Sequence, residues 1–368
     1  MLGSRLIHVL FVVISFALSF CETKENQFNT EPRNEVTTEE AYKVPSVMYK
    51  KTCGLLFLLL GYSCPALSTK CPSLQVFPES CQCEDNFVED GVDLEITCTG
   101  GSLDEVKSAL SQVDKLSRLE VVLDDIKIGT LPSRLFQGWN IVRLDISHCE
   151  LDSLAAPGEV ALAGLEDTLE ELIIASSFSE DNEPAKLDIS HLRRIKQLDV
   201  SFNAITELGN DWFENGPTSL THIILSNNGI EKIGDRAFAN LVNLRQLWLD
   251  GNRSGPLKRS MLPRPANNLE DIQLDNNALT GVPEDMFSEL PALKDVSLRT
   301  NGIARLPENT YKAILSQLNT FDIRGNPLEC DNQMDWLFRS KVNAAVLGRC
   351  EGPRGREGTD LDSLMNGK

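Results

Sequence analysis

The sequence predicts an α/β solenoid: a curved parallel sheet on a concave face, an irregular or short helical convex side, and a disulfide-bonded cap at each end. Three observations carry that expectation. An eleven-residue phrase, L-x-x-L-x-L-x-x-N-x-L, returns nine times; its ninth position is a column of mostly asparagine; and cysteine clusters stand just before and just after the array. The copies begin at Leu116, Ile141, Leu169, Ile195, Leu220, Leu244, Leu269, Leu293 and Leu318, at intervals of 24–28 residues.

Each position of the phrase has a physical task. In the copy Leu269, Ile272, Leu274, Asn277, Leu279, the fourth and sixth residues fall on one face of a short strand, because side chains alternate along a strand. A unit this short cannot bury that face alone, so the copies must stack around one continuous core. The ninth residue turns inward and must satisfy backbone groups that lose water there. That column reads Asp124, Cys149, Ser177, Asn203, Asn228, Asn252, Asn277, Asn301 and Asn326. Phe213, Phe238, Phe287 and Tyr311 each follow their copy's first residue by 18 positions and are expected to fill the convex side of the core. Phrase and period together define leucine-rich repeats, here expected over residues 116–328.

A solenoid otherwise presents raw apolar ends, so caps are expected. Ahead of the array, residues 71–98 hold Cys71, Cys81, Cys83 and Cys98, which allow three pairings. Behind it, residues 329–365 hold Cys330, Trp336 and Cys350. The first 68 residues read as export signals. Residues 1–21 join Arg5 to the apolar run from Val9 to Phe20, a signal peptide. Residues 48–68 repeat the pattern with Lys50, Lys51, the run from Leu55 to Leu60, and small Ala66 and Ser68. Between them, residues 22–47 are rich in Glu and Thr without apolar periodicity and read as a disordered linker. Met1 and Met48 both stand as starts; either gives a secreted, extracellular chain, with a mature end near Thr69 if the second leader is used. No later segment approaches the ~20 apolar residues of a membrane span.

Charge narrows the function. The net charge is −19, and residues 1–68 are balanced, so the excess belongs to the exported part. Such acidity fits neither nucleic acid nor anionic lipid, whose affinity comes from basic groups. Catalytic constellations are also missing. His148 and His222 fall three strand spacings apart, about 14 Å, too far to share a metal. No phosphate loop, serine elbow or HExxH occurs. The expectation is a binding protein with no cofactor, metal or enzymatic activity.

The binding surface is expected on the concave face, from residues that alternate with the core positions: Phe202, His222, Ile224, Trp248, Asp250, Asp271, Gln273, Asp275 and Asp295. Ile224 and Trp248 share a column on adjacent strands, beside acidic groups. Apolar anchors in such a place suit a protein partner; the alternative is a cross-strand pair that only stabilises the sheet. Two stretches break the period, an acidic one at 178–186 and a basic one at 253–266 with Arg253, Lys258, Arg259 and Arg264. Both read as surface loops, the second as a partner contact or a protease-sensitive site. Asn252-Arg253-Ser254 is a glycosylation sequon, but its asparagine falls in the buried column and is expected to stay bare.

Residues 71–365 resemble arthropod secreted leucine-rich-repeat proteins. The stretches GTLPSRLFQGWNIVRLDIS and LAGLEDTLEELIIASS look like the group that contains the non-catalytic subunit of decapod luciferase. In extracellular members the amino-terminal cap pairs its cysteines first to third and second to fourth, which implies Cys71 with Cys83 and Cys81 with Cys98. The carboxy-terminal segment departs from the commonest pattern: Asn332 stands where a second cysteine is usual and no fourth follows Cys350. Cys330 with Cys350 is then the one bridge expected there, and Cys149 stays reduced. The resemblance also implies an accessory subunit that accompanies a small catalytic partner in a luciferase-like oxygenase complex.

Overall fold

A computed structural model describes residues 70–73, 76–86, 91–178 and 187–366. Both leader-like segments, the linker between them and residues 179–186 lie outside the described residues. One sheet of twelve strands contains, in chain order, Cys81–Asp85, Leu94–Thr99, Leu119–Asp124, Ile141–Ser147, Glu171–Ala175, Gln197–Asp199, His222–Ile224, Gln246–Trp248, Asp271–Gln273, Asp295–Ser297, Thr320–Asp322 and Ala345–Leu347. The first pairs antiparallel with the second; every later pairing is parallel. Parallel neighbours need a crossover, and each repeat's convex segment supplies one.

The core follows from the alternation. Leu198, Ile223, Leu247, Ile272, Val296 and Phe321 stack in register across six strands and are all buried. Behind them, Phe213 stacks on Phe238 at 5.8 Å, and Tyr311 packs against Phe287 at 5.8 Å and Phe321 at 5.5 Å. Among the described residues the convex side is mostly turns, with an α-helix at Glu308–Leu315 and a short 3-10 helix at Arg259–Met261.

A left-handed residue closes each of the nine strands from Leu119–Asp124 to Thr320–Asp322. Asp125, His148, Ser176, Phe202, Asn227, Gly251, Asn276, Thr300 and Gly325 have φ from +51° to +71°. Their amides reach the next repeat, as with Phe202 N–H to the Ser226 carbonyl at 3.0 Å and Asn227 N–H to the Asp250 carbonyl at 2.8 Å. This eighth-position turn aims the ninth side chain inward. Asn277, 1% exposed, donates to the carbonyls of Leu249 (2.8 Å) and Asp275 (3.0 Å) and accepts from Ser254 N–H (3.2 Å). Where asparagine is replaced, the job is partly kept. Ser177 donates to the Ile146 carbonyl at 2.9 Å, and the Cys149 thiol donates to the carbonyls of Leu123 and Ser147. Burial pushes that thiol up to about 11, so it stays protonated and able to donate.

The same column corrects the first repeat. Asp125 is the left-handed residue, so Ile126, not Asp124, holds the ninth position. Leu119 pairs with Ile141 in the first position, and a register slip then sets Glu120 opposite Arg143. Leu116, expected to open the repeat, is 83% exposed. Leu119, Val121 and Leu123 alternate with period two, and such a run satisfies the phrase in more than one phase.

The ends are cross-linked. Cys71 joins Cys83, Cys81 joins Cys98, and Cys330 joins Cys350, with Cα separations of 5.8, 4.1 and 5.6 Å. Cys98 lies on Leu94–Thr99, which pairs in parallel with the first repeat, so the cap itself starts the stack. At the other end Trp336 donates to the Leu306 carbonyl at 2.9 Å, tying the cap to the repeat before it.

Candidate functional site: the concave sheet face

Three columns of side chains project from the sheet. The middle one reads Val122, Asp145, Ile173, Asp199, Ile224, Trp248, Gln273 and Ser297, one residue per strand. Adjacent strands lie about 4.8 Å apart, so neighbours in a column touch. Ile224 and Trp248 are opposite one another and half-buried, as is Ile173 two strands away. Ile173 and Asp145 escaped the sequence reading because it began at the fourth repeat; the same alternation carried into the second and third finds both.

Trp248 is not a free anchor. Its indole Nε1 donates to Asp271 Oδ2 at 3.1 Å, and Gln273 donates to the other oxygen at 2.6 Å. Burial pushes the Asp271 carboxyl above the usual range, with Asp295 and Asp275 adding and those two hydrogen bonds opposing. Cross-strand pairing and exposure of an apolar face therefore coexist in one residue. The remaining acids divide by position. Asp250 accepts from the Ser226 hydroxyl, and Asp275 from the Ser297 hydroxyl and from Arg299 N–H at 2.8 Å. Both serve the strand ends. The Asp295 carboxylate has no hydrogen-bond partner among the described residues.

Phe202 stands apart from these columns. It occupies the left-handed eighth position on the strand-end rim and is 59% exposed. That conformation costs an L-residue about 1–2 kcal/mol, and the other repeats fill it mainly with Gly, Asn, Ser, Thr or Asp. His222 lies on the strand-start side, its Nδ1 2.8 Å from the Thr221 hydroxyl. Burial, then the charge of Arg245, lowers its pKa, so the imidazole is neutral at pH 7.

The basic stretch at 253–266 needs correction. Arg259 is 2% exposed, and its guanidinium donates to the carbonyls of Ser288 (2.7 Å) and Pro263 (2.9 Å). It fills the role of backbone partner inside the loop and offers no surface. Lys258 and Arg264 do reach solvent, paired with Asp235 and Glu289. Among the described residues no group of His, Cys, Asp and Glu is arranged to hold a metal. No helix there is long and apolar enough to cross a membrane.

Comparison with known proteins agrees with this architecture. Residues 193–253 match the leucine rich repeat family model. Mouse Tsukushi is 28% identical over 226 residues, covering 50% of this chain and 59% of its own length. Rat lumican is 27% identical over 229 residues, covering 56% and 63%. The chain thus spans under two thirds of these relatives. Among solved structures, an octameric complex of latrophilin 3, Unc5D and FLRT2 contains a chain that aligns with 70% of this one at 21% identity and a TM-score of 0.47. The chain is a leucine-rich-repeat protein with disulfides, homologous to extracellular leucine-rich-repeat proteins.

Proposed function

We propose that this chain is a secreted, non-enzymatic binding protein that takes another protein on its concave face. Ile173, Ile224 and Trp248 form the apolar centre, Asp145, Asp199, Asp271 and Asp295 favour basic groups on the partner, and Phe202 adds a contact at the rim. One observation supports the reading above the rest: three large apolar side chains lie half-exposed in one column among carboxylates. Apolar anchors supply affinity, while surrounding charge selects the partner and speeds encounter.

The test is affinity purification from the native secretion, followed by binding kinetics with the protein recovered. Trp248→Ala is expected to weaken binding by about 2 kcal/mol, roughly thirtyfold, with circular dichroism unchanged. Lys258→Ala, on the convex side, is expected to bind normally. The reverse pattern refutes the concave face. The arthropod resemblance names one specific partner, a small catalytic subunit of a luciferase-like oxygenase that this face carries without contributing catalytic groups. Its support is the two sequence stretches alone, and identification of the recovered protein decides it.

A further inference from the structure

At the strand-start edge of the sheet, a cleft of about 310 Å³ opens between Val92 and His222. Its charge runs opposite to that of the rest of the face. Glu170 receives three cations at once: Arg118 at 3.3 Å, Arg194 at 3.1 Å and Lys196 at 2.7 Å. One carboxylate neutralises only one of them. Beside it, Arg143 lies between Glu120 at 3.4 Å and Glu171 at 3.1 Å. Farther along the edge, Glu270 holds both Arg245 and Lys294. Around the cleft Arg118, Arg143, Arg194, Lys196 and Lys70 meet Glu120, Glu170, Glu171 and Asp93, five cations to four carboxylates, on a chain whose net charge is −19. The excess faces solvent: the Glu170 side chain is 19% exposed, that of Lys196 60%. His222 on the far wall is neutral at pH 7 and adds no charge.

We propose that this cleft is a carboxylate-binding subsite, taking an acidic side chain or a free carboxyl terminus, with Lys196 and Arg118 as its charged partners. A carboxylate entering there replaces water around cations that Glu170 leaves uncompensated, and charge-assisted hydrogen bonds of this kind are the stronger class. With the acids of the middle column, the subsite gives the face two poles, so that a partner's basic and acidic groups fix its orientation. Assigning the carboxylate to a protein partner rests on the proposed function; the cleft itself is testable with small molecules.

The experiment is a titration of the isotope-labelled full chain, followed by amide shifts of Lys196, Gln197, Thr221 and His222. The probes are N-acetylglycine for a free terminus, N-acetylglutamate amide for an acidic side chain, and N-acetylglutamine amide as the neutral match. Saturable shifts are expected with at least one carboxylate and none with the neutral probe. Whichever carboxylate binds identifies the source, and binding of both supports the shared chemistry. Lys196→Gln is expected to weaken binding by about 1.5- to 5-fold, the range of one exposed charge pair, and Lys196→Arg to restore it. The Lys196 side chain contacts solvent and Glu170, so these variants are expected to fold. Lys258→Gln, on the convex side, is expected to leave the shifts unchanged, which shows that the effect is local to the cleft. No saturable shift with either carboxylate, equal binding of the neutral probe, or unchanged affinity in Lys196→Gln overturns the proposal.

Discussion

Asn277→Ala removes one rung of the ladder that sets every strand end, and the structure gives the size of the loss. Three hydrogen bonds disappear, but not all their partners are stranded. The Leu249 carbonyl keeps Asn252 Nδ2 at 2.9 Å, and the Asp275 carbonyl keeps Gly251 N–H at 2.8 Å. The amide of Ser254, a residue 4% exposed, loses Asn277 Oδ1, its acceptor at 3.2 Å. An orphaned buried donor costs about 1–3 kcal/mol, and each ordinary hydrogen bond contributes about 1 kcal/mol net. The expected destabilisation is therefore roughly 2–4 kcal/mol, measured by urea unfolding. Solenoid stability is largely a sum over neighbouring repeats, so hydrogen exchange supplies the local readout: protection at Ser254 is expected to fall more than at repeats near either cap. A loss below about 0.5 kcal/mol with Ser254 still protected refutes the reasoning, because the amide must then have another acceptor.

Two further predictions concern the face and the sequon. Burial, with Asp199 and Asp124 adding, pushes the Asp145 carboxyl above its usual range. The folded state then holds this proton more tightly than the unfolded chain, so the penalty is complete above the folded value and gone below the ordinary one. Asp145→Asn is expected to stabilise the protein at pH 7, with the gain vanishing below pH ~4; a gain equal at both pH values contradicts the electrostatic account. Asn252, 4% exposed and donating to the carbonyls of Leu225 and Leu249, is expected to carry no glycan in folded protein. Glycopeptide mass spectrometry showing high occupancy there means that this repeat is open.

The repeat was legible because its constraints are local and recur. A strand of three residues, a left-handed turn and an inward amide need the same residue types wherever they occur, and Leu269 to Leu279 spell them in full. Legibility failed where the constraint is not local. Nothing in the run from Leu119 to Leu123 says which phase is paired; the register comes from Ile141 and Arg143 on the next strand. Arg259 looked like a surface cation because charge is its only local signature, whereas its burial depends on carbonyls about 30 residues away. The cleft around Glu170 was missed for a related reason. Arg118, Lys196 and Glu170 lie outside the alternation that marks the concave columns, and only stacking of successive repeats brings them within 3.3 Å.

The division of labour among the columns has a consequence for how such a face acquires specificity. At the strand ends, Asp250 and Asp275 accept from side chains or amides of neighbouring repeats, so exchanging them disturbs the scaffold as well as the surface. The middle column bears less of that duty. Ile173 and Ile224 have no polar groups to satisfy, and the Asp145 and Asp199 carboxylates bond only within their own strand ends, to the Ser147 hydroxyl and to Ser201 N–H. A substitution in this column changes what a partner meets while leaving the ladder intact. Apolar and acidic residues alternate there from Asp145 to Ile224, although each strand on its own is free to carry either type. The carboxylates at Asp145 and Asp199 are held near an isoleucine that screens neither, and burial already opposes the ionisation of Asp145. A cationic side chain crossing Ile173 relieves both carboxylates at once, with its stem on the apolar surface and its head between the acids. The column is therefore better suited to a long basic side chain than to a purely apolar one.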